Sequence, residues 1–82
     1  MDQQVNDEIR GHLQMIEYSY DVIITNKDEI CRWIGDATHN HREILTVTLA
    51  LNNWVAASGS SGRLTIDRST LERIIASTVG RW

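Results

Sequence analysis

Apolar residues recur at helical spacing through the first quarter of the chain. The series is Val5, Ile9, Leu13, Ile16, Tyr20, Ile23 and Ile24. Steps of three and four residues place side chains on one face of an α-helix. Gly11 weakens this helix, because glycine is a poor helix former, and 20–25 is rich in β-branched residues that also suit a strand. The pattern predicts a first helix over about 3–24, with fraying or a strand near its end as the alternative.

A second helix is predicted from a capping signature. Asn26-Lys-Asp-Glu29 has the spacing of a capping box, in which the first side chain accepts from an early helical N–H. Ile30, Trp33 and Ile34 follow on one face. Gly35 is placed to take the left-handed conformation that commonly ends a helix. We therefore expect a short helix over about 27–34.

The third helix carries the most apolar surface. Asn40-His-Arg-Glu43 repeats the capping signature. One stripe consists of Ile44, Val47, Leu51, Trp54 and Val55, while Leu45, Leu49 and Ala56 add apolar surface on a second side. A helix over about 41–57 that is apolar on so much of its circumference is expected to be central or to lie at a subunit interface.

A Ser/Gly segment separates the third helix from the last one. Residues 58–62 read Ser-Gly-Ser-Ser-Gly and predict a flexible loop. Asp67 is a candidate N-cap, and Ile66 and Leu71 flank it at the positions of a hydrophobic staple. Ser69 with Glu72 forms a competing capping box. Either start predicts a helix over about 68–79 that ends near Gly80.

These elements predict an all-α fold. Residues 1–82 form a single domain of three or four helices, which we expect to be completed or extended by homo-oligomerisation. A chain of this length is near the lower limit for a stable core of its own. A neighbouring copy would cover the surplus apolar surface of the third helix.

Composition narrows the expected setting and partners. The net charge is −3, which favours solubility and argues against general nucleic-acid binding. The single cysteine allows no intrachain disulfide, and the first residues lack the features of a signal peptide, so a cytoplasmic location is expected. The uncharged run 44–62 contains asparagines and serines that oppose membrane insertion. No cofactor is expected.

The densest group of metal-binding residue types is Cys31, Asp36, His39 and His41. Thiolate, carboxylate and imidazole are zinc ligands, but their spacing here fits no standard zinc motif. The group is therefore only a weak candidate for a metal site. The two histidines are alternatively a pH-sensitive element, because imidazole titrates near neutral pH.

The basic C-terminal segment suggests an alternative function. Arg63, Arg68 and Arg73 could contact nucleic acid or a nucleotide. However, Arg68 and Arg73 do not share a helical face, and Arg68 has the i,i+4 spacing for an ion pair with Glu72.

The absence of enzymatic motifs favours a non-enzyme that acts by protein–protein contact. We expect a small acidic regulator, adaptor or inhibitor whose partners are a second copy of itself and another protein. Leu45, Leu49, Trp54 and Trp82 are the predicted interface residues. Tryptophan is enriched at binding hot spots, and Trp82 would otherwise need to dock on its own domain.

Overall fold

A computed structural model describes residues 3–80 as four helices and two short strands. In chain order the elements are α1 (Gln3–Tyr20), β1 (Val22–Ile24), α2 (Lys27–Ala37), α3 (His41–Ser58), β2 (Gly62–Leu64) and α4 (Arg68–Val79). The chain is thus mostly helical, as predicted, with four helices close to the expected places. The two strands are additions to the all-α prediction.

The first helix is shorter than the predicted range 3–24, because its last residues form β1. Asp21 breaks the helix with a φ of 54°, a left-handed conformation that Asp tolerates better than most residues. Val22 and Ile24 then point into the core while Ile23 points outward. This alternation has the period of a strand. The β-branched residues around it favour the strand that the sequence offered as an alternative.

The two strands form a parallel pair. Val22, Ile23 and Ile24 align with Gly62, Arg63 and Leu64 respectively. The pairing continues beyond the strands, where the N–H of Thr25 donates to the carbonyl of Leu64 at 2.9 Å. The connection between parallel strands must cross over, and here α2 and α3 provide it.

Asn26 does not act as the predicted cap of α2. Its side chain makes no capping hydrogen bond and instead binds the backbone of Ile66 in both directions. Its Nδ2 donates to the Ile66 carbonyl at 2.7 Å, and its Oδ1 accepts from the Ile66 N–H at 3.2 Å. The capping-box prediction at 26–29 was therefore wrong, because the paired strands bring a competing backbone partner to this side chain.

The predicted end of the second helix was also wrong. Gly35 lies inside α2, which continues to Ala37. The hydroxyl of Thr38 donates to the carbonyl of Ile34 at 2.7 Å and satisfies one of the last carbonyls of the helix.

The caps of the other two helices follow the sequence. Asn40 Oδ1 accepts from the N–H of Glu43 at 3.0 Å, and Asp67 Oδ1 accepts from the N–H of Thr70 at 2.8 Å. Asp67 rather than Ser69 is therefore the N-cap of α4. Hydrogen bonds from Thr70 and Ser69, together with the nearby charge of Arg73, lower the pKa of Asp67.

The Ser/Gly segment is partly regular, in contrast to the predicted loop 58–62. Ser58 is the last residue of α3, and Gly59 ends this helix with a φ of 66°. Gly62 already belongs to β2. Only three residues connect the helix to the strand, because glycine reaches left-handed conformations without steric cost.

One apolar core joins all four helices and β1. Its fully buried members include Ile9 and Leu13 of α1, Ile30 and Ile34 of α2, Val47 and Leu51 of α3, Ile66 before α4, and Leu71 and Ile75 of α4. Because Ile66 and Leu71 are both buried, the entry to α4 is fixed on either side of its cap, as expected for a hydrophobic staple.

Within residues 3–80, no helix combines the length and the apolar character that crossing a bilayer requires.

Candidate functional site

The most distinctive surface feature is a group of large apolar side chains that remain accessible. Within residues 3–80 these are Met15 (67% exposed), Tyr18 (91%), Ile23 (59%), Leu45 (52%) and Leu49 (62%). We call this group the apolar surface. Isolated exposed apolar residues are ordinary on proteins, whereas a contiguous group is a candidate binding site.

The five side chains are contiguous because they line two adjoining depressions that share Met15. One depression lies between α1 and β1, and Met15, Tyr18 and Ile23 line it. The other lies between α1 and α3, and Met15, Leu45 and Leu49 line it. Both are open hollows rather than enclosed cavities, a shape that suits contact with another macromolecule.

Local structure explains why these side chains face outward. In α1, the core side is occupied by Ile9, Leu13 and Ile16, which directs Met15 and Tyr18 to the opposite side. In α3, Leu45 and Leu49 are four residues apart and therefore share one helical face. The strand alternation of β1 directs Ile23 outward.

The charges beside the apolar surface neutralise each other. Glu17 and Lys27 line the depression between α1 and β1. Lys27 Nζ donates to Glu17 Oε1 at 2.8 Å, and Glu17 Oε2 accepts from the N–H of Ile24 at 2.8 Å. The residues that line the other depression include no Asp, Glu, Lys or Arg. A partner therefore meets little net charge here, although the whole chain is acidic.

Gly11 lies in the interior of α1 and lines the same depression as Tyr18. A Cβ placed on Gly11 would have no neighbour within 4 Å, so packing within the chain does not require a glycine here. Glycine in a helix interior costs about 1 kcal/mol relative to alanine. The missing side chain of Gly11 therefore leaves an open notch on the surface of α1, and no other described residue fills it.

Of the predicted interface residues, two are exposed and a third is partly buried. Leu45 and Leu49 belong to the apolar surface, whereas Trp54 is partly buried against the core. Trp82 lies outside the described residues. Sequence reasoning missed Met15, Tyr18 and Ile23. For Met15 and Tyr18 a signal was available, because both are apolar or aromatic residues that fall off the buried stripe of α1.

The metal-ligand candidates are not gathered into one set. Asp36, His39 and His41 line a depression where the ends of α1, α2 and α3 meet, while Cys31 is fully buried in the core. Burial raises the pKa of the Cys31 thiol. Within residues 3–80, no three side chains of the types His, Cys, Asp and Glu are grouped so that they could hold a metal ion. Nδ1 of His41 instead lies 2.6 Å from Oε1 of Glu8.

The three arginines of the alternative function lie on different elements. Arg63 is in β2, while Arg68 and Arg73 are in α4, and all three are exposed. Arg68 Nε lies 3.3 Å from Glu72 Oε1, as the sequence predicted. Acidic Asp67 and Glu72 are interspersed with them, and nucleic-acid contact through these arginines stays a prediction.

Comparison with known protein families, with curated proteins and with solved structures found no match to this chain. The apolar surface is suited to burying area against a partner.

Proposed function

We propose that this protein acts by protein–protein contact, as a small acidic regulator, adaptor or inhibitor, through the apolar surface. The observation that carries the proposal is that all five exposed large apolar side chains of the described residues meet around Met15.

The size of the surface supports this role. The five side chains, which are between half and nine-tenths exposed, together present roughly 600 Å², the upper end for the largest apolar patch of an ordinary monomer. A standard interface buries about 800 Å² on each partner. With a rim of polar residues, the apolar surface is large enough to form the centre of such an interface.

The test is affinity capture from the cells that make the protein, with three versions of the chain as bait. The wild type is compared with Leu49→Asp, which puts a charge on the apolar surface, and with Ala76→Asp, which puts the same charge on an exposed position of α4. We expect a protein that the wild type and Ala76→Asp retain in equal amounts and that Leu49→Asp loses. Retention of the same proteins by all three baits would contradict the proposal.

Circular dichroism and urea unfolding of the three baits serve as the folding control. Both substitutions change exposed residues, so at low protein concentration, where association does not contribute, the free energies of unfolding of the three chains are expected to stay within about 1 kcal/mol of each other. A partner lost only by Leu49→Asp then reports on the surface and not on the fold.

A further inference from the structure

We propose that the apolar surface binds a second copy of this chain, with the two α1 helices antiparallel and Tyr18 of each copy seated on Gly11 of the other. The inference rests on the proposed function, since it uses the same surface, and it specifies the partner and the geometry.

The first observation is a protrusion and a notch on one helical face. Tyr18 is 91% exposed, and Gly11 lies seven residues earlier, which is close to two helical turns and so on the same side of α1. The space above Gly11 is open. An aromatic ring of a neighbouring chain can therefore approach the α1 backbone closely at this point.

Two separate pairs of residues, Gly11 with Tyr18 and Leu45 with Leu49, have midpoints at nearly the same level along the parallel helices α1 and α3. Glu8 pairs with His41, and further along, His12, Met15 and Ile16 line one depression with Leu45, Thr48 and Leu49. Helices α1 and α3 therefore run side by side in the same direction. His41 lies beside Glu8, 33 positions earlier, and the same offset relates the residues of α1 and α3 that line this depression.

This alignment allows one two-fold axis to satisfy both pairs. The midpoint of Gly11 and Tyr18 lies between Gln14 and Met15, and the midpoint of Leu45 and Leu49 is Val47, which lies at the level of Gln14. A two-fold axis that crosses both helices at this level brings Tyr18 onto Gly11 of the partner and Leu45 onto Leu49 of the partner. Contacts of this reciprocal kind define the isologous interface of a symmetric dimer.

The polar residues near the axis are compatible with a second copy. Gln14 is exposed, and its amide carries both a donor and an acceptor, so two Gln14 side chains can hydrogen-bond to each other. Glu17 is neutralised by Lys27 at 2.8 Å. An acidic chain can therefore meet itself here without like charges at the centre of the contact.

The apolar area can supply most of a dimer interface. The roughly 600 Å² of accessible apolar side chain on each copy, with polar residues at the rim, approaches the ~800 Å² per partner of a standard interface. A second copy covers both depressions at once, because α1 of one copy lies over α1 of the other, and α3 of one copy lies over α3 of the other.

Sedimentation velocity across low to high micromolar concentrations tests the self-association. We expect a concentration-dependent dimer for the wild type. Tyr18→Ala should weaken dimerisation at least tenfold, because large aromatic side chains dominate interface energies. Arg32→Ala shortens an exposed side chain of α2 that lines neither depression of the apolar surface, and it should leave the dimerisation constant unchanged.

Gly11→Ala separates association from folding. Alanine favours the helix, so the thermal midpoint measured at low concentration should rise by about 5 °C. The same methyl group occupies the notch, so dimerisation should weaken several-fold. A variant that is more stable as a monomer and weaker as a dimer cannot be explained by misfolding.

Cross-linking tests the antiparallel geometry. Leu45→Cys and Leu49→Cys are made as separate chains and oxidised alone and as a mixture, with the wild type as the blank for the buried Cys31 thiol. We expect the mixture to give a disulfide between the two different chains faster than either chain alone. Preferential cross-linking of each chain to itself would overturn the arrangement.

A strictly monomeric wild type at high micromolar concentration would overturn the proposal as a whole. That result would leave the proposed function standing if the capture experiment still finds a partner that Leu49→Asp loses. Equal retention of every captured protein other than the chain itself, together with a dimer that Tyr18→Ala weakens, would overturn the broader function and keep the self-association.

Discussion

Two asparagines with the same sequence signature have different structural roles. Asn40 caps α3 through the N–H of Glu43, while Asn26 binds both backbone groups of Ile66. The local pattern is the same in both, with Glu three residues later. What separates them is a partner 40 residues away along the chain, which no local pattern contains.

Replacement of each asparagine by aspartate distinguishes these roles. Aspartate is as good an N-cap as asparagine, so Asn40→Asp should change the free energy of unfolding by less than about 0.5 kcal/mol. Asn26→Asp should cost about 1 to 3 kcal/mol, because the Ile66 carbonyl loses its donor and faces a carboxylate. Urea unfolding near neutral pH measures both. An Asn26→Asp chain as stable as the wild type would restore the capping interpretation.

Asp67 is expected to make the stability depend on pH. Asp67→Ala should lower the free energy of unfolding near pH 7, because the cap of α4 is lost. The pKa of Asp67 is lower in the folded state than in the unfolded state. The stabilisation by its carboxylate is therefore complete above the pKa of the unfolded state, near 3.9. It is lost as the pH falls through the lower pKa of the folded state.

Urea unfolding of wild type and Asp67→Ala between neutral and strongly acidic pH measures this dependence. The difference between the two chains should shrink towards the acid end. Asp36→Ala, which changes an exposed aspartate in the last turn of α2, is the control and should alter stability by less than about 0.5 kcal/mol. A difference that grows on acidification would contradict the prediction.

At the level of elements, the sequence predicts helices well and the sheet poorly. The starts of α3 and α4 were predictable because their signals are local: a cap, a staple and a run of apolar positions. A parallel strand pair has no such signal. Val22–Ile24 is only three residues long, and its spacing also continues the apolar stripe of α1. The pairing depends on Gly62–Leu64, which is recognisable only after folding.

Two neighbouring isoleucines test the strand. Ile24 is 2% exposed and Ile23 is 59% exposed, so Ile24→Ala should cost about 2 to 5 kcal/mol and Ile23→Ala less than about 1 kcal/mol. Urea unfolding at low protein concentration measures the folded chain without contributions from association. Equal losses would indicate that both side chains face the core, as a helix continued to residue 24 would place them.

At the scale of the whole molecule, the sequence predicts only the part of the apolar surface that lies on α3. Leu45 and Leu49 follow from the excess of apolar residues on α3. Tyr18 and Ile23 join them only because α1 stops at Tyr20 and β1 turns Ile23 outward beside it. A surface assembled from three elements depends on their mutual arrangement, and that arrangement depends on the strand pair that the sequence did not reveal.

The rate at which the single cysteine reacts with a thiol reagent measures how often the core opens. Cys31 is fully buried, and burial raises the pKa of its thiol. Because the thiolate is the reactive species, a thiol-specific reagent at mildly alkaline pH should label native Cys31 at least tenfold more slowly than an exposed cysteine.

Ala76→Cys supplies that exposed cysteine within the same chain. Mass spectrometry of each site over time compares the two rates, and urea above the unfolding midpoint should make them equal. Rapid labelling of Cys31 in the native protein would show that the core opens far more easily than its packing indicates.

The parallel pair of β1 and β2 has a kinetic consequence. Pairing of Val22 with Gly62 closes a long loop that contains α2 and α3, and the entropy of loop closure opposes this step until other contacts offset it. We therefore expect the helices to form before the strands pair. With that order, substitutions at the contact between α1 and α3 slow folding, and loss of the Asn26–Ile66 contact mainly speeds unfolding.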